Sequence, residues 1–208
     1  MTSSLSRRSV VAGAAAALGT GFALGGCTGS AHRPASVSAY TGDFRLVALG
    51  VALENQAIGV YRALLAGVRK GRLGGPGSVP ALVSLAQTCL AQHFEHADRW
   101  NAILRSGHKP VISGVPLAGH ESILRAADAA VTVGQAAVLA MDVESQAEQT
   151  YVAAIGHLDA AGAVAAAASI APVEAMHAAV LRLIAGEYPT PAGFAGQARA
   201  ASPRELLV

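Results

Sequence analysis

The sequence predicts an all-α protein: a four-helix bundle of two antiparallel hairpins joined by a long crossover. Three observations carry that prediction. Four long stretches place apolar residues at helical spacing, dense breakers separate them, and no stretch alternates as a strand would. Two segments ninety residues apart, LENQAIGVYRALL at 53–65 and VESQAEQTYVAAI at 143–155, agree at five of thirteen positions, among them Glu54 with Glu144, Gln56 with Gln146 and Tyr61 with Tyr151. Finally, residues 107–119 (GHKPVISGVPLAG) hold two prolines and three glycines, which exclude regular helix. Thirteen extended residues reach about 40 Å, enough to return the chain along a bundle.

The bundle is preceded by a leader. A basic start, Ser6-Arg7-Arg8-Ser9-Val10-Val11, leads into an uncharged run of apolar and small residues that ends at Leu24-Gly25-Gly26-Cys27. Residues 1–26 have the order of an export signal. The paired arginines resemble a twin-arginine signal, and the Leu-Gly-Gly-Cys end resembles a bacterial lipobox, in which Cys27 is lipidated and becomes the mature N-terminus. The alternative is an uncleaved membrane anchor. Either way the expected location is outside the cytoplasm, anchored to the outer face of the cell membrane. Residues 27–41, small and polar with Pro34, read as a tether.

Removing residues 1–26 takes two arginines and no acid, so 15 basic residues fall to 13 against 13 acidic. A neutral surface argues against a nucleic-acid partner, which requires a local excess of Lys and Arg. With Cys27 committed to lipid, Cys89 is left alone and no internal disulfide forms. Residues 42–187 suit one domain.

Each helix has its own start and stop signals. The first runs from about 43 to 70 and stops at Gly71-Arg72-Leu73-Gly74-Gly75-Pro76-Gly77. Ser78 is placed to cap a second helix from about 79 to 106, with Pro80 in its first turn. After the crossover a third helix spans about 121–157, with Gly134 as a candidate break, and a fourth spans about 161–186, ending at Gly186 ahead of Pro189 and Pro191. Residues 188–208 form a tail, either a surface strap or a disordered end.

Glu54 and Glu144 each put a carboxylate into an otherwise apolar stripe, which costs free energy unless a partner neutralises it. The fourth helix carries Glu174-Ala175-Met176-His177, and i to i+3 spacing sets both side chains on the face of Ile170, Val173, Leu181 and Ile184. The second helix carries His93-Phe94-Glu95-His96. His93 and His96 share the face of Leu82, Ala86, Cys89, Leu90, Trp100 and Ile103, whereas Glu95 lies about 100° round with Gln92 and Arg99 and faces water. Counting along each hairpin at about 1.5 Å per residue brings Glu54 level with His93 and Glu144 level with Glu174.

One Glu from each of two helices, with Glu-x-x-His from each of the other two, is the ligand set of ferritin-like carboxylate-bridged di-iron proteins. From about 43 to 187 the chain resembles that superfamily, most of all its exported bacterial members. The resemblance implies metal ligation by Glu54, His96, Glu144, Glu174 and His177. It departs at the remaining position, where His93 stands in place of the second-helix glutamate. A bridging carboxylate shares two ions, whereas one imidazole nitrogen binds one.

Two readings of that departure stay open. A site of three carboxylates and three imidazoles suits zinc, copper or a single iron as readily as two irons. Alternatively Glu148, one turn past Glu144, supplies the missing carboxylate, unless it lies at the stripe edge and pairs with an arginine. Tyr61 and Tyr151 read as hydrogen-bonding core residues, Trp100 as packing, and Cys89 as a buried inert thiol. His32, His108, His120 and His157 fall at loops or helix ends and are given no role.

The resemblance implies iron, one or two ions, as cofactor, with manganese or zinc as alternatives, and oxidation of Fe(II) or use of oxygen or peroxide at the bundle core. The rival expectation is a metal-free or metal-sequestering envelope lipoprotein serving as a binding or structural module. The expected partners are metal ions and the membrane, through Cys27. The oligomeric state is open, with a dimer among the options.

Overall fold

The computed structural model describes residues 38–73 and 80–208; the leader, Cys27, the tether up to residue 37, and Ser78 lie outside them. Among the described residues there are five α-helices: α1 Asp43–Arg69, α2 Pro80–Ser106, α3 His120–Ala129, α4 Val133–Ile155 and α5 Ala161–Ala185. There is no strand among them, only an isolated antiparallel bridge between Leu117 and Leu206. The all-α bundle of two hairpins and a crossover is the observed architecture. α1 pairs with α2, α4 pairs with α5, and the hairpins face each other through α1 with α4 and α2 with α5.

The expected third helix is divided. α3 ends at Ala129, Ala130 is extended, and Thr132 caps α4 by accepting from the Gln135 amide while the Gln135 side chain accepts from the Thr132 amide. This capping box satisfies orphan donors at the helix start. It places the break at 130–132, and Gly134 sits inside the first turn of α4. α3 therefore belongs to the crossover and packs on α1. Upstream, Asn55 donates to the Gly114 carbonyl at 2.8 Å, and Asn101 holds both the amide and the carbonyl of Ile112.

Two helix ends follow from local chemistry. α5 closes on Gly186 with φ 84°, a left-handed conformation that favours glycine, and the Glu187 amide returns to the Arg182 carbonyl at 2.8 Å. Pro172 lies inside α5 and removes one backbone donor two residues before Glu174. The tail crosses back over the bundle. Arg199 pairs with Asp142, the Ala201 amide donates to Thr150 Oγ1, and Arg45 donates to the carbonyls of Pro203 and Leu206. Leu206 is buried in the same apolar cluster as Val47, Trp100 and Tyr151.

That cluster fills the half of the bundle where α1 begins, and a second, around Tyr61, Leu64, Cys89 and Leu181, fills the half where α1 ends. In the first, Gly50 lies flat against Trp100: a Cβ there would stand 3.0–3.1 Å from three indole atoms. The indole is buried and rests on Tyr151 at 5.4 Å between ring centroids, so it has no room to retreat. Gly50→Ala is expected to cost about 1–3 kcal/mol through overpacking. Urea unfolding followed by the fluorescence of this single tryptophan reads it directly.

Candidate metal centre

Between the two apolar clusters the bundle interior turns polar. Glu54 comes from α1, His93 and His96 from α2, Glu144 from α4, and Glu174 with His177 from α5. All six sequence-derived candidates meet here. Glu54, His93, Glu144 and Glu174 are fully enclosed, and only the His96 and His177 side chains retain 12% and 8% exposure.

The donors form two overlapping groups. Glu54, His93, His96 and Glu174 each offer one atom, all within 4.8 Å of one another, and so do His93, Glu144, Glu174 and His177. His93 and Glu174 are common to both. The His93 ring spans them, with Nδ1 at 2.7 Å from Glu54 Oε2 and Nε2 at 3.2 Å from Glu144 Oε1. Glu174 faces His96 Nδ1 at 2.8 Å through Oε1 and His177 Nδ1 at 3.6 Å through Oε2.

Several of these atoms approach without forming a hydrogen bond. Both Glu174 oxygens, Glu144 Oε2, His96 Nδ1 and His177 Nδ1 are buried without a hydrogen-bond partner. Buried polar atoms are almost always partnered. Five unpartnered atoms turned toward common points, three carboxylate oxygens and two imidazole nitrogens that carry a lone pair once deprotonated, fit a cation that displaces the protons. A set of carboxylates and imidazoles suits iron, manganese or zinc.

The surrounding contacts orient this set. Tyr151 donates to Glu54 Oε1 at 2.5 Å, and Tyr61 donates to Glu144 Oε1. Each tyrosine thus serves the glutamate of the other helix. Glutamate and tyrosine are seven residues apart on each copy, about 10 Å along the axis, and α1 and α4 run antiparallel, so the copies exchange partners. His177 Nε2 lies 2.6 Å from Gln92 Oε1, a contact that places the proton on Nε2 and leaves Nδ1 as the ligand-type nitrogen. Gln92, assigned by the helical wheel to the water-facing side, therefore reaches into the α2–α5 seam.

Glu148 stands apart. It is half-buried and absent from both donor groups; partial burial raises its carboxyl pKa while the Arg182 charge opposes the rise. Cys89 is buried one turn before His93. Glu95 is exposed.

The titrations of the cluster are interlocked. Burial pushes Glu54 and Glu144 up, but the histidines more than offset it and hold both below the usual carboxylate range, Glu144 far below. Glu174 goes the other way. Burial and then repulsion from Glu54 and Glu144 push it up to about 7. Burial lowers the histidines, but their partners win: Glu174 and Glu54 bring His96 up to about 9, and Cys89, Glu144 and Glu174 bring His177 up to about 12. His93 lies well above its ordinary value, chiefly through Glu144 against burial.

Tyr151→Phe strips Glu54 of its hydroxyl donor and Tyr61→Phe strips Glu144. Each is expected to weaken metal affinity by about 10–100-fold, the usual cost of losing a group that orients a ligand. Competition titration with a fluorescent chelator measures it.

In comparison with known families, residues 42–187, well over half of the chain, match a family described as a ferritin-like domain. Neither curated proteins nor solved structures give a match.

Proposed function

The chain belongs to the ferritin-like domain family, and from that membership and its donor cluster we propose that it is an exported metal-binding protein holding one or two ions in the bundle core. The observation that carries this reading is the pair of donor groups sharing His93 and Glu174, with five buried atoms left unpartnered. Glu54 and His96 would hold one ion, Glu144 and His177 a second, with Glu174 common to both and His93 between them. Bound iron would supply one-electron chemistry toward oxygen or peroxide, with added Fe(II) as the substrate oxidised. The protein's own part is positional. Tyr61, Tyr151 and Gln92 fix the donors, the two apolar clusters exclude water on either side, and the His96 and His177 edges give the only solvent contact that the six donor side chains have.

Export by a twin-arginine route and a lipid anchor at Cys27 complete the proposal. The sequence supports them through Arg7-Arg8 and Leu24-Gly25-Gly26-Cys27. Mass spectrometry of the membrane fraction would detect a lipidated mature N-terminus at Cys27.

A second reading draws on His93. A cationic imidazole among three carboxylates compensates their charge without metal, which suits a metal-free or sequestering bundle. The decisive measurement is elemental analysis after reconstitution with iron, manganese and zinc and a chelator wash. Retention of one or two ions per chain is expected, and trace retention of all three sinks both oxidation and sequestration. Oxygen consumption on Fe(II) addition then separates oxidation from storage.

A further inference from the structure

The six donors are not shielded equally on all sides. From Asp43 to Tyr61 no residue of α1 is exposed, and neither is any residue of α4 from Leu139 to Ala154. The crossover covers α1, where Asn55 donates to the Gly114 carbonyl and α3 packs, and the tail covers α4, where the Arg199 amide donates to Gln149 and the Ala201 amide to Thr150. On the other two helices, beside the donors, Ala91, Glu95 and Arg99 of α2 and Pro172, Met176 and Val180 of α5 are exposed. Among the described residues, the α2–α5 seam is the side left unroofed.

That seam is also where the donors meet solvent. The side chains of His96 on α2 and His177 on α5 keep 12% and 8% exposure, whereas those of Glu54, His93, Glu144 and Glu174 keep none. One hydrogen bond crosses the seam beside them: His177 Nε2 donates to Oε1 of the half-buried Gln92 at 2.6 Å. His177 Nδ1 has no hydrogen-bond partner, so among the described residues this is the single hydrogen bond that holds the ring inward. Swinging the ring outward breaks that bond alone and uncovers the Glu144 and Glu174 oxygens that face its Nδ1 at 3.4 and 3.6 Å.

We propose that metal ions enter and leave the centre through the α2–α5 seam, with the Gln92–His177 hydrogen bond as the latch on that route; this rests on the metal-binding function proposed above. Gln92 is then a positioning residue outside the ligand set. An arriving ion meets the imidazoles of His96 and His177 first and passes from them to Glu174, which both donor groups share. Opening has to break one hydrogen bond, whose net worth corresponds to about a tenfold change in the open population.

Zinc is the probe, with Fe(II) under nitrogen in its place if zinc is not retained. Stopped-flow loading of the metal-free protein, followed with a fluorescent indicator for the ion, gives the entry rate, and excess chelator added to the loaded protein gives the exit rate. Gln92→Ala and Gln92→Leu both remove the bond, the second while keeping the side chain's bulk, and each is expected to load about tenfold faster. A role confined to orienting His177 would instead speed exit and leave entry unchanged. Val173→Phe, at a half-buried position one turn before His177, narrows the seam and is expected to slow entry and exit together at unchanged affinity. Gln149→Ala, on α4 beneath the tail, is expected to load at the native rate. Native entry rates in both Gln92 variants, or fast entry in Gln92→Ala but not in Gln92→Leu, overturns the latch. Entry in Gln149→Ala as fast as in Gln92→Ala, or undiminished exchange in a folded Val173→Phe, overturns the route. A native chain that loses both zinc and Fe(II) to a chelator wash overturns the metal-binding function and the route together.

Discussion

Glu174→Gln is expected to abolish metal retention while making the metal-free protein more stable above pH 7. Glu174 belongs to both donor groups, so its loss strips each of a carboxylate that no neighbour replaces. The stability effect has the opposite sign because the same carboxylate is poorly tolerated without metal. Burial and the charges of Glu54 and Glu144 push its pKa up to about 7, well above the roughly 4.3 of an unfolded chain. A raised carboxyl pKa means that ionisation opposes folding: the penalty grows as pH climbs from about 4.5 and is complete above 7. Glutamine carries no charge, so the variant escapes it. The gain should be about 3–4 kcal/mol at pH 8, or roughly 6–16 °C for a domain of this size, and under about 1 kcal/mol at pH 4.5. Melting of the chelated proteins at both pH values, beside elemental analysis of the loaded ones, gives the result. A variant that melts lower at pH 8, or keeps its metal, would remove Glu174 from its shared position.

The histidines add to the same pH profile. His96 has a folded pKa raised to about 9, so its contribution is complete below about 6.5 and fades as pH rises through 9. Glu54 and Glu144, whose pKa values are depressed, contribute above about 4.5 and lose that contribution only in stronger acid. The metal-free bundle is thus most stable between about pH 4.5 and 6.5. Metal loading must displace protons from the imidazoles, so it releases acid at pH 7 and tightens as pH rises.

Much of this centre can be read from the chain because a helix converts spacing into position. The repeat, the Glu174 to His177 interval and the hairpin counts place six side chains at one depth without any structure. What they leave out depends on the direction in which neighbouring helices run. Tyr61 and Tyr151 look remote from the glutamates of their own helices, about 10 Å away, and approach the site only once the two copies lie antiparallel. That exchange was implicit in the repeat: pairing it head to tail sets Glu54 opposite Tyr151 and Tyr61 opposite Glu144. Gln92 escaped a helical wheel because its side chain is long enough to cross the seam to His177. The division of α3 from α4 had a legible sign in Thr132 and Gln135, a Thr-x-x-Gln cap, which the glycine at 134 overshadowed. The course of the tail was not legible, since its anchors, Thr150, Asp142 and Arg45 among them, are hydrogen-bonding groups contributed by distant parts of the chain.

His93→Glu places a carboxylate where the ferritin-like di-iron ligand set has one and is expected to make folding depend on metal. In the native chain the His93 ring touches Glu54 and Glu144 through its two nitrogens and stands 3.8 Å from Glu174, so its cation is shared by three buried carboxylates. Replacing it removes that cation and adds a fourth acid, leaving His96 and His177 to compensate four carboxylates. Breaking a buried ion pair from one side costs about 3–5 kcal/mol, which for this domain lowers the melting temperature by roughly 10 °C or more. Two divalent ions would neutralise the four acids, and binding at 100 times the dissociation constant returns about 2.7 kcal/mol per site. The metal-free variant should therefore melt far below the native chain, and the iron- or manganese-loaded variant close to it. His93→Gln, which removes the cation without adding an acid, should fall between. If chelated His93→Glu melts with the native protein, His93 is not serving as an internal cation, and the departure from the di-iron ligand set has no electrostatic role.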